Sequence, residues 1–324
     1  MTELRPLVAI VGPTAAGKSA LGVRLAEEFG GEVVACDSTQ VYRHFDIGTA
    51  KPSLEERRGI THHLLDIVEP EELFTAGDYR LRALAVLADL RQRDKLPVFT
   101  VGTGLYLRAL LEGLSDAPAR SEEMRKRLER SAKQHGEGHL HRLLARLDKD
   151  AAARIAPRDT PKLIRAIEVT LLAGRPVTEV HRAGRPHLEG YMPIKVGLLP
   201  PRTELYARIE KRAEAMLAAG WLEEVARLAQ GGIPLTAKPW QFIGYGELRA
   251  HLAGELELKP AVAAIQQVTR RYAKRQITWF RRETGVRWFE GFGDEAGIAG
   301  EVQAYLSGQL RGESAARAPG ERGV

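Results

Sequence analysis

The sequence predicts an α/β fold in which a P-loop-type parallel sheet is flanked by helices and carries an all-helical insertion domain. Over the first 115 residues, short apolar runs suited to strands alternate with longer helical segments, the pattern of a parallel sheet with helical crossovers. Between residues 118 and 190 the strand-like runs stop, and charged helical segments replace them. These two observations predict the fold class and the insertion.

The elements follow in order along the chain. Apolar runs predict strands at residues 7–11, 31–36, 98–101 and 194–199. Helical patterns predict core helices at residues 76–93, 203–218 and 261–282, and insertion helices at residues 121–134, 139–147 and 160–173. The first and last insertion helices begin at Ser121 and Thr160, residue types that cap helices. We therefore expect a discontinuous core domain (1–117 and 191–310), a basic insertion (118–190) and a disordered tail (311–324).

The loop after the first predicted strand has the sequence GPTAAGKS, and a helical pattern follows it. This context is typical of a P-loop, in which glycines let several backbone N–H groups point inward at a helix N-terminus. Lys18 adds a positive charge for terminal phosphates, and Ser19 offers a hydroxyl to Mg²⁺. We expect a diphosphate or triphosphate to be bound by the eight loop residues Gly12, Pro13, Thr14, Ala15, Ala16, Gly17, Lys18 and Ser19.

Two further predicted strands end on polar residues. Asp37 directly follows the strand at 31–36, and Thr103 lies in the GTG run after the strand at 98–101. Because ligands collect at the carboxyl ends of parallel strands, we expect both to face the crevice of the P-loop. Asp37 opens the run DSTQVY, in which Asp37 and Gln40 can hydrogen-bond a nucleobase and Tyr42 can stack on it. An alternative is an Asp37 that holds magnesium, followed by an ordinary polar loop.

The positive charge is concentrated in two blocks. The chain has a net charge of +6, while residues 118–190 carry +6 and residues 259–287 carry +7, so the remainder is acidic. This distribution indicates a polyanionic partner at the blocks, although each block alone is also compatible with a solvated helix face. On a helical wheel the arginines and lysines of residues 261–282 share one face, opposite an apolar one.

The composition excludes several classes of protein. The single cysteine, Cys36, allows no intramolecular disulfide and no zinc site, and no apolar run approaches the roughly 20 residues that cross a bilayer. We expect a cytoplasmic monomer without membrane contact. A chain without asparagine cannot carry the Asn-Lys-x-Asp element of GTPases. We expect four residues to pack rather than to react: Cys36, Trp221, Trp279 and Phe280.

Beyond the P-loop, the chain resembles the tRNA dimethylallyltransferases (isopentenyltransferases) over about residues 5–290. The motifs occur in family order: DSTQVY at 37–42, DIGTAKP at 46–52, HHLLD at 62–66, GTGLY at 102–106, RIEKR at 208–212, IGY at 243–245 and KRQITW at 274–279. DIGTAKP is far more specific than the P-loop. One departure is Val101, where the family usually has a second glycine.

This resemblance implies a reaction and a set of roles. The family transfers a dimethylallyl group from dimethylallyl diphosphate to N6 of the adenosine at tRNA position 37, so the P-loop would hold a diphosphate leaving group. Lys18, Arg212 and Mg²⁺ on Ser19 would neutralise the diphosphate, Thr103 would lie near its bridging oxygen, and Asp37 would take the N6 proton. The flipped adenosine and the anticodon stem-loop would be contacted by Asp37, Ser38, Thr39, Gln40, Thr103, Arg125, Lys162, Arg165, Lys274 and Arg275.

Three other functions stay open. An isopentenyltransferase acting on free AMP or ATP would use the same chemistry, although the large basic insertion argues against so small an acceptor. A small-molecule P-loop kinase would also use residues 12–19, but it would hydrolyse or transfer from ATP. A non-catalytic tRNA-binding module is disfavoured by the intact set of Lys18, Ser19, Asp37 and Thr103.

Overall fold

A computed structural model describes residues 4–182 and 186–317, with the backbone alone for residues 312–317. In these ranges six strands form one sheet: β1 (Arg5–Val11), β2 (Gly31–Cys36), β3 (His62–His63), β4 (Leu96–Val101), β5 (Tyr191–Leu198) and β6 (Val286–Phe289). The strand order is β3-β2-β4-β1-β5-β6, and every neighbouring pair is parallel. The predicted α/β class with a parallel sheet is confirmed.

Helices occupy most of the remaining described residues. The helices are α1 (Lys18–Glu28), α2 (Leu54–Arg57), α3 (Ala76–Gln92), α4 (Gly104–Glu112), α5 (Glu122–His135), α6 (His139–Leu147), α7 (Lys149–Arg154), α8 (Thr160–Ala173), α9 (Val177–Arg182), α10 (Arg202–Ala218), α11 (Trp221–Gln230), α12 (Tyr245–Leu252), α13 (Leu258–Phe280) and α14 (Ala296–Arg317), with a 3₁₀ turn at Lys238–Gln241. None of the described helices is long and apolar enough to span a membrane.

The central strands are buried because helices cover both faces of the sheet. Every residue from Leu7 to Val11 is fully buried, and the core under this strand combines side chains of α1, β4, β5 and α14. Strand β1 pairs with β4 on one side and with β5 on the other. The loop that follows β1 therefore starts from a buried strand that is paired on both sides.

The chain divides into two compact units. The first consists of Met1–Leu110 with Glu189–Val324, and the second is Leu111–Leu188. The described part of the second unit contains α5–α9 around its own core, which includes Leu128, Leu144, Leu163 and Ile167. The role in tRNA binding that was predicted for residues 118–190 stays a prediction.

Some predicted boundaries differ from the structure. Asp159, not Thr160, caps α8, because the Asp159 carboxylate accepts a hydrogen bond from the backbone of Lys162. Helix α14 extends to Arg317, and the disorder predicted for the tail from residue 311 stays a prediction. The rest of the predicted tail, residues 318–324, lies outside the described residues.

Candidate active site

The loop between β1 and α1 turns at Gly17, which caps α1 in the left-handed conformation with φ of 80°. A Cβ atom at this position would lie 2.4 Å from Asp294 Oδ1, so glycine alone fits. Gly293 N donates a 2.9 Å hydrogen bond to Ala16 O. Arg208 holds the Asp294 carboxylate with bonds of 2.6 and 2.8 Å. The segment after β6 thus closes one side of the loop.

Lys18 begins α1 and folds its ammonium group back over the loop. Its Nζ donates to the carbonyl oxygens of Pro13 at 2.7 Å and Gly12 at 3.1 Å. Burial lowers the pKa of Lys18 to about 8, and the Asp37 carboxylate opposes this shift. The hydroxyl of the next residue, Ser19, belongs to an exposed side chain in the first turn of α1. The loop therefore presents a positive charge and an accessible hydroxyl side by side.

A second cation reaches the loop from α10. Arg212 Nη2 donates a 2.7 Å hydrogen bond to Thr14 Oγ1. Burial lowers the pKa of Arg212 and Asp37 raises it, but a guanidinium stays charged at neutral pH. Because Arg212 also lowers the Lys18 pKa, the two cations and Asp37 share one electrostatic environment. Such a site favours a bound anion.

Asp37 is fixed in place at the end of β2. Its Oδ1 accepts hydrogen bonds from Thr39 N at 2.8 Å and from Thr39 Oγ1 at 2.7 Å. The other oxygen, Oδ2, points toward Gly102, where a Cβ atom would lie only 1.8 Å from it. Within the described residues Oδ2 accepts no hydrogen bond, so one lone-pair-bearing oxygen remains for a substrate.

Thr103 lies at the end of β4, beside β2. Its Oγ1 accepts a hydrogen bond from Ser38 N at 2.9 Å and donates one to Ser38 Oγ at 3.1 Å. The backbone N–H groups of Gly102 and Thr103 both donate to Cys36 O at 3.0 Å. The structure thus brings Asp37, Ser38 and Thr103 together at the carboxyl edge of the sheet, as the strand ends predict.

Gln276 joins the P-loop to the end of β4, and the sequence did not single it out as a site residue. This side chain of α13 is 6% exposed. Its Oε1 accepts a 2.7 Å hydrogen bond from Thr14 N, and its Nε2 donates a 2.8 Å bond to Gly102 O. Tyr272, one turn earlier, donates to the same carbonyl at 3.2 Å. The available signal was the spacing of four residues, which places Tyr272 and Gln276 on one helix face.

In the DSTQVY run the structure contradicts the prediction for Tyr42 and gives Gln40 internal partners, while the predicted contact of Gln40 with the adenosine stays a prediction. Tyr42 is 2% exposed and packs against Phe242, so the predicted stacking on a base is wrong. The Gln40 amide donates to the carbonyl oxygens of Thr49 at 3.2 Å and Ala50 at 2.9 Å. Tyr42 thus belongs to the core, and Gln40 ties the run to the DIGTAKP loop.

A buried carboxylate organises that DIGTAKP loop. Glu224, 1% exposed, accepts hydrogen bonds from Asp46 N at 3.0 Å and Ile47 N at 2.8 Å, and from the Tyr245 hydroxyl at 2.6 Å. Lys51, whose side chain is 3% exposed, pairs with Asp46. Glu224 was missed because it comes 178 residues after the loop and belongs to none of the motifs.

The second basic block of the sequence, residues 259–287, lies largely on α13 and the residues that follow it. Three exposed cations of α13 and two that directly follow the helix make no ion pair within the described ranges: Arg271, Lys274 and Arg275, then Arg281 and Arg282. Arg270 is an exception, because it pairs with Glu210 at 2.6 Å. Lys274 and Arg275 are therefore accessible, and their predicted contact with tRNA stays a prediction.

In the second unit, two of the three predicted RNA contacts are engaged within the protein. Arg125 and Arg165 both pair with Glu168, at 3.2 and 2.7 Å, and the Glu168 side chain has no exposed area. Lys162 pairs with Asp159 at 2.5 Å but remains 71% exposed. Charge alone did not reveal that the two arginines compensate a buried acid.

The residues expected to pack are where the sequence placed them. Cys36, Trp221 and Phe280 are at most 2% exposed. Trp279 is half-buried, with the Arg108 guanidinium 4.6 Å from its ring centroid. His63 contacts Glu32 while His62 contacts Ile60 O, so the two rings diverge as expected.

A P-loop with two cations, facing a carboxylate and a hydroxyl at the edge of a parallel sheet, defines the class: a P-loop α/β enzyme that handles a phosphorylated substrate. The family model for IPP transferase matches residues 40–283. The chain therefore belongs to the IPP transferase family.

Curated relatives and solved structures agree with this assignment. The chain is 52% identical to a tRNA dimethylallyltransferase of Koribacter versatilis, covering 93% of this chain and 97% of that one. It is 51% identical to a tRNA dimethylallyltransferase of Solibacter usitatus, covering 89% and 94%. The crystal structure of a tRNA isopentenylpyrophosphate transferase from Bacillus halodurans matches with a TM-score of 0.72 and 36% identity, covering 97% and 100%.

Proposed function

We propose that this enzyme transfers a dimethylallyl group from dimethylallyl diphosphate to N6 of the adenosine at position 37 of tRNA, next to the anticodon, and releases diphosphate. The observation that best supports the proposal is the convergence of the P-loop, Asp37 and Thr103 at one edge of the sheet. This arrangement supplies cations for a leaving group and a carboxylate for a nucleophile. The names of the relatives point to the same reaction.

The leaving group would be stabilised by the loop and its cations. As the bond between the allylic carbon and the bridging oxygen breaks, its electron pair stays on the diphosphate. Lys18 and Arg212 would neutralise that charge together with the N–H groups at the start of α1. Thr103 Oγ1 would turn its hydrogen from Ser38 Oγ to the bridging oxygen. Such electrostatic contacts commonly contribute a few kcal/mol each to a transition state.

The nucleophile would be oriented by Asp37. The N6 amine of adenine is weakly nucleophilic because its lone pair is delocalised into the ring. Asp37 Oδ2, which has no hydrogen bond within the described residues, would accept an N6 proton as the new C–N bond forms. The bonds from Thr39 to Oδ1 hold the carboxylate in one orientation, so little reorganisation is needed at that moment.

The donor set fits a magnesium ion bound mostly by substrate. Within the described residues no group of three His, Cys, Asp or Glu side chains could form a protein cage for a metal. Mg²⁺ instead keeps waters and binds through one or two protein oxygens plus substrate phosphates, and the exposed Ser19 hydroxyl suits that role. When bound, the ion would supply positive charge to the diphosphate oxygens.

Phosphates of the anticodon stem-loop would be contacted by the exposed basic residues. Arg271, Lys274 and Arg275 of α13 form such a surface in the first unit, and Lys162 contributes in the second. The target adenosine must leave the stacked loop to reach Asp37, which requires base flipping. The proposal includes a monomer in the cytoplasm. The single thiol, that of Cys36, is free and buried, so it is not placed to form a disulfide with a second molecule.

Nucleoside mass spectrometry tests the proposal. Unmodified tRNA is incubated with the enzyme, dimethylallyl diphosphate and Mg²⁺, digested, and searched for N6-dimethylallyladenosine. We expect this nucleoside in the digest with equimolar diphosphate, and mass spectrometry of ribonuclease fragments of the same tRNA should locate it at position 37. Product on free AMP but not on tRNA would favour the adenylate isopentenyltransferase alternative. ATP consumption without prenyl transfer would favour a kinase.

A further inference from the structure

The two halves of the site are connected by a single side chain. The P-loop follows β1 and the Thr103 loop follows β4, and Gln276 hydrogen-bonds both. Its Oε1 accepts a hydrogen bond from the Thr14 N–H, and its Nε2 donates one to the Gly102 carbonyl oxygen. Because an amide carries both an acceptor and donors, it is one of the few side chains that can make this bridge.

We infer that Gln276 is a positioning residue that sets the distance between the diphosphate-binding loop and the Asp37–Thr103 edge. The inference rests on the proposed function and adds a role for a residue outside the loop and the strand ends. Gln276 reaches neither reacting atom, so it acts through Thr14 and Gly102.

The neighbours of the bridge explain why a small displacement would matter. Thr14 also receives the Arg212 hydrogen bond through its hydroxyl, so its placement carries a cation with it. Gly102 lies against Asp37 Oδ2 and directly precedes Thr103. The bridge therefore fixes the position of Arg212, a cation on the leaving-group side, relative to the carboxylate of Asp37, the proposed base. Misplacement of reacting groups by about 1 Å can cost about 100-fold in rate.

Three variants separate positioning from packing. Gln276→Leu removes both hydrogen bonds at similar volume. Gln276→Glu keeps the acceptor for Thr14 N but, when ionised, cannot donate to Gly102 O. The matched control is Gln266→Leu on the same helix, since Gln266 makes a 3.4 Å bond to Glu210 O and touches neither loop.

Steady-state kinetics give the first readout. We expect Gln276→Leu to lower kcat by about 10- to 100-fold, with KM for dimethylallyl diphosphate within about threefold, because Lys18 and the α1 N-terminus remain. Gln266→Leu should match the wild type. For Gln276→Glu, kcat relative to the wild type should recover as the pH is lowered, since a protonated carboxyl group regains the donor. Wild-type kcat in Gln276→Leu, or an equal loss in Gln266→Leu, would overturn the inference.

Hydrogen–deuterium exchange gives a second readout that needs no turnover. Gln276→Leu should speed exchange in the segments 12–17 and 102–104, whereas Gln276→Glu should affect the second more than the first. Unchanged exchange in both segments would overturn the inference. If Gln276→Leu does not fold, Gln276→Glu is used to test the inference. Full activity and wild-type exchange in Gln276→Glu would then refute the role of the bridge. A wild type without prenyl transfer would refute the proposed function alone, because exchange would still test the bridge.

Discussion

The close approach of Gly102 to Asp37 allows a quantitative prediction for Gly102→Ala. The new Cβ atom would lie 1.8 Å from Asp37 Oδ2 and 2.9 Å from Asp37 Cγ. An ordinary carbon–oxygen contact needs about 3.4 Å, so the carboxylate must move by roughly 1.5 Å. That movement breaks at least one of the two hydrogen bonds from Thr39 to Oδ1.

A displacement of this size should reduce kcat by about 100-fold, or about 2.7 kcal/mol. The affinity for dimethylallyl diphosphate should change little, because Lys18 and Arg212 keep their contacts. Gly300→Ala is the matched control, since a Cβ atom there meets nothing within 4 Å. Single-turnover prenylation of tRNA measures the chemical step, and calorimetry checks that both variants remain folded.

A double-mutant cycle makes the cause specific. If Gly102→Ala acts by displacing the carboxylate, it should cost almost nothing in an Asp37→Ala background, because no carboxylate remains to be displaced. A full 100-fold loss in that background would refute the steric reasoning. So would a kcat within about threefold of the wild type for Gly102→Ala alone.

Three other expectations concern charge. Activity measured as kcat/KM should fall as the pH rises through about 8, because the free enzyme then loses the proton of Lys18; a flat profile to pH 10 would contradict this role. Replacement of both Arg271 and Lys274 by Glu should weaken tRNA binding and flatten its dependence on salt. Arg270→Glu, which loses an internal ion pair, should flatten that dependence less. If filter binding gives the same salt slope for both variants, Arg271 and Lys274 are solvated residues that do not contact tRNA. Glu32 has its pKa lowered to about 2 by hydrogen bonding to Arg93. Its stabilisation is present above the unfolded pKa near 4.5 and is lost as the pH falls toward 2, so Glu32→Gln should flatten acid unfolding in that window by up to about 3 kcal/mol.

The sequence predicted those parts of the site that lie at strand ends. Asp37 and Thr103 could be placed because buried parallel strands are continuous apolar runs, and their carboxyl ends share an edge. Lys18 followed from a loop whose spacing carries its own mechanism. Strands β3 and β6, with two and four residues, are too short to show a period and were missed.

The residues that support the site could not be predicted in the same way. Glu224 and Gln276 act through backbone groups 177 and 262 residues away, and no local pattern encodes such a contact. The ion pairs of Arg125 and Arg165 could not be predicted, because a sequence reports charge but not the partner of that charge, and their predicted contacts with RNA stay predictions. Their partner, Glu168, sits inside an apolar helical stretch, which was the only sign of a buried ion pair.

The dependence of the P-loop on distant residues has a consequence for biosynthesis. The loop leaves the ribosome more than 250 residues before Gln276 and Gly293, which form hydrogen bonds with its Thr14 N–H and its Ala16 carbonyl. Strand β1 likewise lacks its β5 neighbour until residue 191 is made. The nascent chain therefore cannot form its anion site in separate stages. We expect affinity for a phosphorylated ligand to appear only late in synthesis, when β6 and the segment after it pack against the rest of the core.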